Sequence, residues 1–251
     1  MKLIIKKIII ISSIFLFVQW SKAAEEKKEV QKFYSSSTSF SFLLTSGNTE
    51  ERTLGFDTEQ NMKFKKNQIQ IKGSIIYSES EGSKDAEFYY SQVDYKYIPK
   101  SKAYILGFSR LERNVLSGYN YRFVFSAGAG YFWIKSEKLI LTSEAAFGWS
   151  KENNIDKITD LDFSVSFASF LISSNIRLAV SANSELIHQD IFFVNLENAK
   201  DYRISSLSSF SINISKILSY KISYQIKHTH SPVPGFKSTD QYILSSLVVS
   251  F

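Results

Sequence analysis

The chain has 251 residues, with no cysteine, 10 glycines and 3 prolines. That is too few breakers for a disordered or linker-rich chain, and it leaves no disulfide framework to build on. Its formal net charge of +6 falls to +2 if the first 23 residues are removed, because Lys2, Lys6, Lys7 and Lys22 go and no acid does, so the charge gives no case for nucleic acid as a partner.

The N-terminus reads as a secretory signal. Lys2, Lys6 and Lys7 precede an apolar run from Ile8 to Val18, and Ser21-Lys22-Ala23 offers small residues at the first and third positions before a cut. The apolar run is about half the length that a membrane-spanning helix needs. Residues 1–23 are therefore expected to be a cleaved signal peptide and residues 24–33 a short charged lead-in. Residues 34–251 then form one domain of the size that all-β folds reach.

Past Tyr34 the chain alternates in steps of two. Ile69, Ile71, Gly73, Ile75 and Tyr77 face away from Gln68, Gln70, Lys72 and Ser74. Tyr121, Phe123, Phe125, Ala127, Ala129, Tyr131 and Trp133 alternate with Arg122, Val124, Ser126, Gly128 and Gly130. Ile176, Leu178, Val180 and Ala182 share one parity, as do Tyr220, Ile222, Tyr224 and Ile226. Only a strand sends successive side chains to opposite faces. Ala103 to Arg113 has a mixed phase, since Tyr104, Leu106 and Phe108 share the parity of Arg110 and Glu112. A bulge is one way to reconcile an outward Tyr104 with an inward Glu112.

The connections alternate in length. Short ones fall at Lys65-Asn67, Pro99-Lys102, Lys135-Lys138, Ile172-Asn175 and Ser215-Leu218. Longer polar ones fall near Thr45-Glu50, Ser78-Asp85, Asn114-Asn120, Ser150-Asp160, Ile187-Asp201 and Thr229-Asp240. Eleven connections imply about 12 strands of membrane-spanning length. Short-long alternation is the pattern of an up-and-down antiparallel transmembrane β-barrel with both termini periplasmic, and the Greek-key links of a soluble sandwich do not alternate so. Phe64, Tyr95, Tyr97, Tyr104, Trp133, Tyr220 and Phe251 lie near the short turns. Tyr77, Tyr89, Tyr121, Trp149, Tyr202 and Tyr242 lie near the long loops, giving two aromatic girdles.

Four segments carry a family resemblance: Ser46-Gly47-Asn48-Thr49, Ser117-Gly118-Tyr119-Asn120-Tyr121-Arg122, Asp201-Tyr202-Arg203, and Pro232-Val233-Pro234-Gly235-Phe236-Lys237-Ser238-Thr239-Asp240. Together they resemble the uncharacterised family of salt-induced outer-membrane β-barrel proteins. The resemblance implies a barrel in the cell outer membrane, with a link to osmolarity and no established catalytic residue to carry over. The terminal aromatic strand ending at Phe251 resembles the signal read by barrel-assembly machinery, which is expected as a partner during biogenesis. Outer-membrane lipid and lipopolysaccharide are the expected surroundings.

The inward parity carries charges: Lys72, Asp94, Lys96, Arg122, Glu144, Arg177, Glu185, Arg203, Lys221 and Lys227 are expected to line the lumen. Ions there must be hydrated or paired, so the lumen is either a plugged pairing network or a narrow hydrated pore. About twelve strands lie between filled barrels and open porins. The histidines, His188, His228 and His230, are all expected near the external rim, with Ser231 and Asp190, Asp201 and Asp240 nearby. Adjacency in sequence does not supply the geometry of a Ser-His-acid set, and no hydrolase motif surrounds them. No cofactor, catalytic residue or metal site is expected. Ile191-Phe192-Phe193-Val194 is apolar among polar loops and reads as an extension of its flanking strands, the alternatives being an inward-folded constriction or a contact for a partner or lipopolysaccharide. A small-solute channel, a closed structural barrel and, remotely, an outer-membrane hydrolase stay open.

Overall fold

The computed structural model describes residues 33–46, 52–80, 83–99, 102–156, 158–159 and 161–251. The expected signal peptide, residues 24–32 of the lead-in and Gly47-Asn48-Thr49 lie outside them.

Twelve antiparallel strands follow one another around a closed barrel, each hydrogen-bonded to its neighbours in sequence. They are β1 (Phe33–Ser46), β2 (Arg52–Phe64), β3 (Asn67–Ser80), β4 (Ser83–Tyr97), β5 (Ala103–Asn114), β6 (Tyr119–Lys135), β7 (Leu139–Asp156), β8 (Leu161–Ser181), β9 (Ser184–Asn195), β10 (Tyr202–Asn213), β11 (Leu218–Thr229) and β12 (Thr239–Ser250). Closure comes from β1 against β12, in a register running from Ser37 opposite Ser250 to Ser46 opposite Gln241. A closed wall leaves no unpaired edge, which is what a bilayer demands of strands. The short turns and both described chain ends gather at one rim, here the turn end; the longer links form the other, the loop end.

The two-residue alternation sorts the faces. Outward stand Val93, Ile105, Leu111, Phe125, Trp133, Phe147, Trp149, Ile172 and Ile222, each more than a third exposed. Ser74, Glu112, Ser126, Ser150, Glu152, Ser169 and Ser246 are buried on the inner face. This is an inside-out protein by the standard of soluble folds, with apolar side chains presented to the surroundings and polar ones packed within.

Four expectations need correction. The short connection expected at Ile172-Asn175 is the middle of β8, and the hairpin falls instead at Ala182–Asn183. The long loops expected at Ser150-Asp160 and Ile187-Asp201 are mostly strand, belonging to β7 and β9; only residues 157–160 and 196–201 link them onward. Ile191-Phe192-Phe193-Val194 thus lies within β9. Finally, β5 keeps one phase against β4 across its mixed stretch, from Tyr97 opposite Ile105 to Tyr89 opposite Arg113. Tyr104 and Leu106 share the inner face with Arg110 and Glu112, and no bulge separates them. Tyr104 and, separately, Tyr242 on β12 are buried lumen residues rather than members of a girdle.

Small residues shape the inner wall of β6 to β8. A Cβ on Gly128 would lie 2.0 Å from the Ala145 carbonyl oxygen, and one on Gly130 would lie 2.3 Å from the Tyr104 ring. Glycine permits this close approach where a barrel bends sharply or where a ring must lie flat on the wall.

Candidate functional site

Side chains on non-adjacent strands meet only through the interior, so their contacts define the lumen. Lys96 on β4 reaches Glu144 on β7, Nζ to Oε1 2.5 Å, and Tyr104 on β5 donates its hydroxyl to the same oxygen at 2.7 Å. Tyr104 also packs on Phe132, with ring centroids 4.9 Å apart. Nearby on the wall, Lys72 and Asp94 pair at 3.4 Å and Gln92 donates to Asp94 at 2.8 Å. Arg177 and Glu185 pair at 3.2 Å close to the β8–β9 turn. Lys221 is in register with Ser211 and Ser246 in the turn half of the barrel.

The loop half holds a denser network. Glu112 takes Arg110 and Arg122, each at 2.5 Å. Glu152 takes Arg203 in a two-pronged contact and stands 4.0 Å from Arg122. Arg203 also reaches Asp201 at 3.3 Å. The guanidinium carbons of Arg122 and Arg203 lie 4.7 and 5.4 Å from the centre of the buried Tyr119 ring. Lys227 on β11 crosses to β4, with Nζ 5.4 Å from the Phe88 ring and 5.0 Å from that of Tyr242. Glu112 and Glu152 are about 2 % exposed, and carboxylates so buried persist only with cations and donors around them. The ten residues named from the sequence thus fall into these two layers, with Lys221, Arg177 and Glu185 nearer the turn end. Sequence parity did not identify Glu112, Arg110 and Tyr119 as members, because the doubtful phase of β5 and the irregular register at Tyr119 hid them.

The β11–β12 link turns into the mouth. Gly235 has φ 85°, a left-handed backbone that glycine adopts without strain, and the Phe236 amide bonds back to the Val233 carbonyl at 3.0 Å. Val233 and Phe236 are thereby buried against Tyr119. Behind them lies a cavity of about 220 Å³ lined by Glu152, Asn154, Arg203 and Pro232 among others.

Two histidines sit at the loop rim, as expected. His230 stacks on Tyr202 with centroids 4.6 Å apart, and His228 bonds Thr239 at 2.9 Å. Ser231 donates to the Lys200 carbonyl at 3.0 Å, so it is engaged away from both rings. His188 does not belong to the rim: it is in mid-β9, 2.9 Å from Ser208 and 3.0 Å from Asp190. Among the described residues, no group of three His, Asp or Glu side chains is placed to hold a metal ion.

A closed twelve-stranded up-and-down barrel with an apolar outside and a charged inside is the fold of the outer-membrane β-barrels. Residues 38–251 match the family described as "Protein of unknown function, DUF481", and the chain belongs to that family. No curated protein matches it. Among solved structures it is similar to the NanC porin, with TM-score 0.59 and 6% identity over 84% of this chain and 98% of that one. An outer-membrane channel from Pseudomonas putida F1 gives TM-score 0.54 and 10% identity over 91% and 98%. A bacterial polysaccharide outer-membrane secretin gives 0.50 and 8% over 89% and 100%. At these identities the likeness is one of fold.

Proposed function

We propose that this protein is an outer-membrane channel for small polar solutes, exported by its N-terminal signal and narrowed at the loop end by the charged network and the β11–β12 link. The observation that carries the reading is the two-layered lumen, in which ions from β4, β7 and β10 pair across an interior that a purely structural barrel could fill with apolar side chains. The resemblance in fold to a porin and a channel supports it. The inner face then works by charge and width: mixed acids and bases favour small zwitterionic or neutral polar solutes over large or strongly charged ones. An osmotic role fits, since such a path relieves a solute difference across the membrane.

A barrel closed at rest is the second reading, favoured by the burial of Val233 and Phe236 against Tyr119 at one end and of Tyr104 and Leu106 at the other. Liposome swelling separates them. Vesicles containing the refolded protein should swell in isotonic glycine or a small sugar and stay intact in a large oligosaccharide; no swelling in any solute would favour the closed barrel. Export is tested separately by N-terminal sequencing of membrane-extracted protein, which should begin at Ala24; a start at Met1 would contradict processing.

A further inference from the structure

The outer wall is uneven around the barrel. At mid-height β5 to β8 present Leu111, Phe125, Phe147, Trp149 and Ile172, all exposed and apolar. On β8 to β10 the same level carries polar groups instead. Ser174 is opposite Asp190, which is opposite Ser206; His188 in the next row is opposite Ser208. These residues share the outward parity of Ile172, Phe192, Ile204 and Ile212, so they point away from the lumen. Asp190 is the seventh of the twelve residues of β9, and Ser208 the seventh of the twelve of β10. An ionisable side chain at that depth on a lipid-facing wall is expensive and marks a functional surface by default.

Internal bonding answers part of the cost. His188 Nε2 donates to Asp190 at 3.0 Å, and Ser208 donates to Nδ1 at 2.9 Å. The order Ser-His-Asp is that of acyl-transfer enzymes. At mid-height, however, its surroundings are hydrocarbon: lipid ester bonds lie at the edges of a core about 30 Å thick, roughly 15 Å away. The Asp190 side chain remains half exposed, with acceptor capacity beyond the one bond to His188.

We infer that this polar sector of β8 to β10 is where two copies of the chain meet in the membrane. The inference rests on the proposed membrane insertion. Whatever covers the patch must itself sit at mid-membrane depth, and a second copy inserted in the same direction places its own row at the same height. Across a two-fold axis along the membrane normal the patch faces itself, so the hydroxyl of Ser206 in one copy meets the Asp190 carboxylate of the other. The serines are also small, which lets two walls approach closely enough for such bonds; small and polar residues serve this purpose wherever membrane segments associate.

The chain has no cysteine, so single cysteines report contacts cleanly. Ser206→Cys and Ala127→Cys, the latter on the apolar sector, are refolded into phospholipid vesicles and treated with a short bis-maleimide. A dimer is expected from Ser206→Cys at ten-fold or greater yield over Ala127→Cys. Adding Asp190→Leu, an apolar side chain that suits lipid, should abolish the dimer while the unboiled protein keeps its folded mobility on a gel. No dimer from folded Ser206→Cys, equal yields at the two sites, or an undiminished dimer with Asp190→Leu would overturn the inference. Failure of the parent chain to show any heat-modifiable form would instead overturn the membrane insertion beneath it.

Discussion

Arg203 on β10 holds Glu152 on β7 with both ends of its guanidinium, Nη1 2.5 Å from Oε1 and Nη2 3.0 Å from Oε2, although β8 and β9 stand between them in the wall. This contact cuts across the interior as a chord, linking directly two strands that the hydrogen-bonded sheet joins through β8 and β9. Glu152→Gln keeps the shape but removes the buried anion that Arg203 grips with both prongs, leaving it only the more distant Asp201, while Arg122 keeps Glu112. Breaking a buried pair by removing one partner costs about 3–5 kcal/mol. The urea midpoint of the refolded variant should fall accordingly, with the slope of the transition unchanged. An unchanged midpoint would mean that the pair is hydrated and the loop half of the lumen open.

Neighbouring positions on β11 separate the two faces. Ile222 is outward and 44% exposed, while Lys221 is inward between Ser211 and Ser246. A lysine on the lipid face costs about 2–4 kcal/mol at the midplane and less toward the interfaces. Ile222→Lys should therefore lower the folded fraction in vesicles, read from heat-modifiable gel mobility, more than Lys221→Ile does. The reverse ranking would place the strand inside out.

The glycines of β6 make a third test. An alanine at Gly128 drives its methyl to 2.0 Å from a backbone oxygen, which cannot move without disturbing the β6–β7 ladder. At Gly130 the obstacle is the Tyr104 side chain, which can swing aside by giving up its bond to Glu144. Gly128→Ala should cost about 1–3 kcal/mol as an overpacked site, and Gly130→Ala less. Tyr104→Ala added to Gly130→Ala should recover the folded fraction, while the same addition to Gly128→Ala should not. Equal rescue of both would show that the backbone contact is not the obstacle.

The strand count, the parity of most strands and the closed form were legible because an apolar outside and a charged inside impose opposite chemistry on successive residues. The reading failed where that rule breaks. Ser173, Ser174 and Asn175 look like a turn, since serine and asparagine serve turns and lumen faces equally well, yet they lie inside β8. His188 and Asp190 look like loop residues because lipid-facing positions are not expected to be ionisable, yet they face outward in mid-β9. Tyr104 looks like a girdle residue and is a lumen residue whose hydroxyl meets Glu144. Of the candidate site, parity can select only which charges share a face; which acid meets which base depends on the curvature of the wall, and a single strand's pattern does not contain it.

Planar-bilayer recording of the refolded protein tests the channel most directly, with Val233→Ser/Phe236→Ser as the companion variant. Val233 and Phe236 are buried against Tyr119 at the loop end, so their replacement should loosen the mouth without touching the wall. Discrete single-channel steps are expected from the parent chain, and larger or longer-lived steps from the variant. Correctly folded protein that shows no steps in either form would contradict a channel.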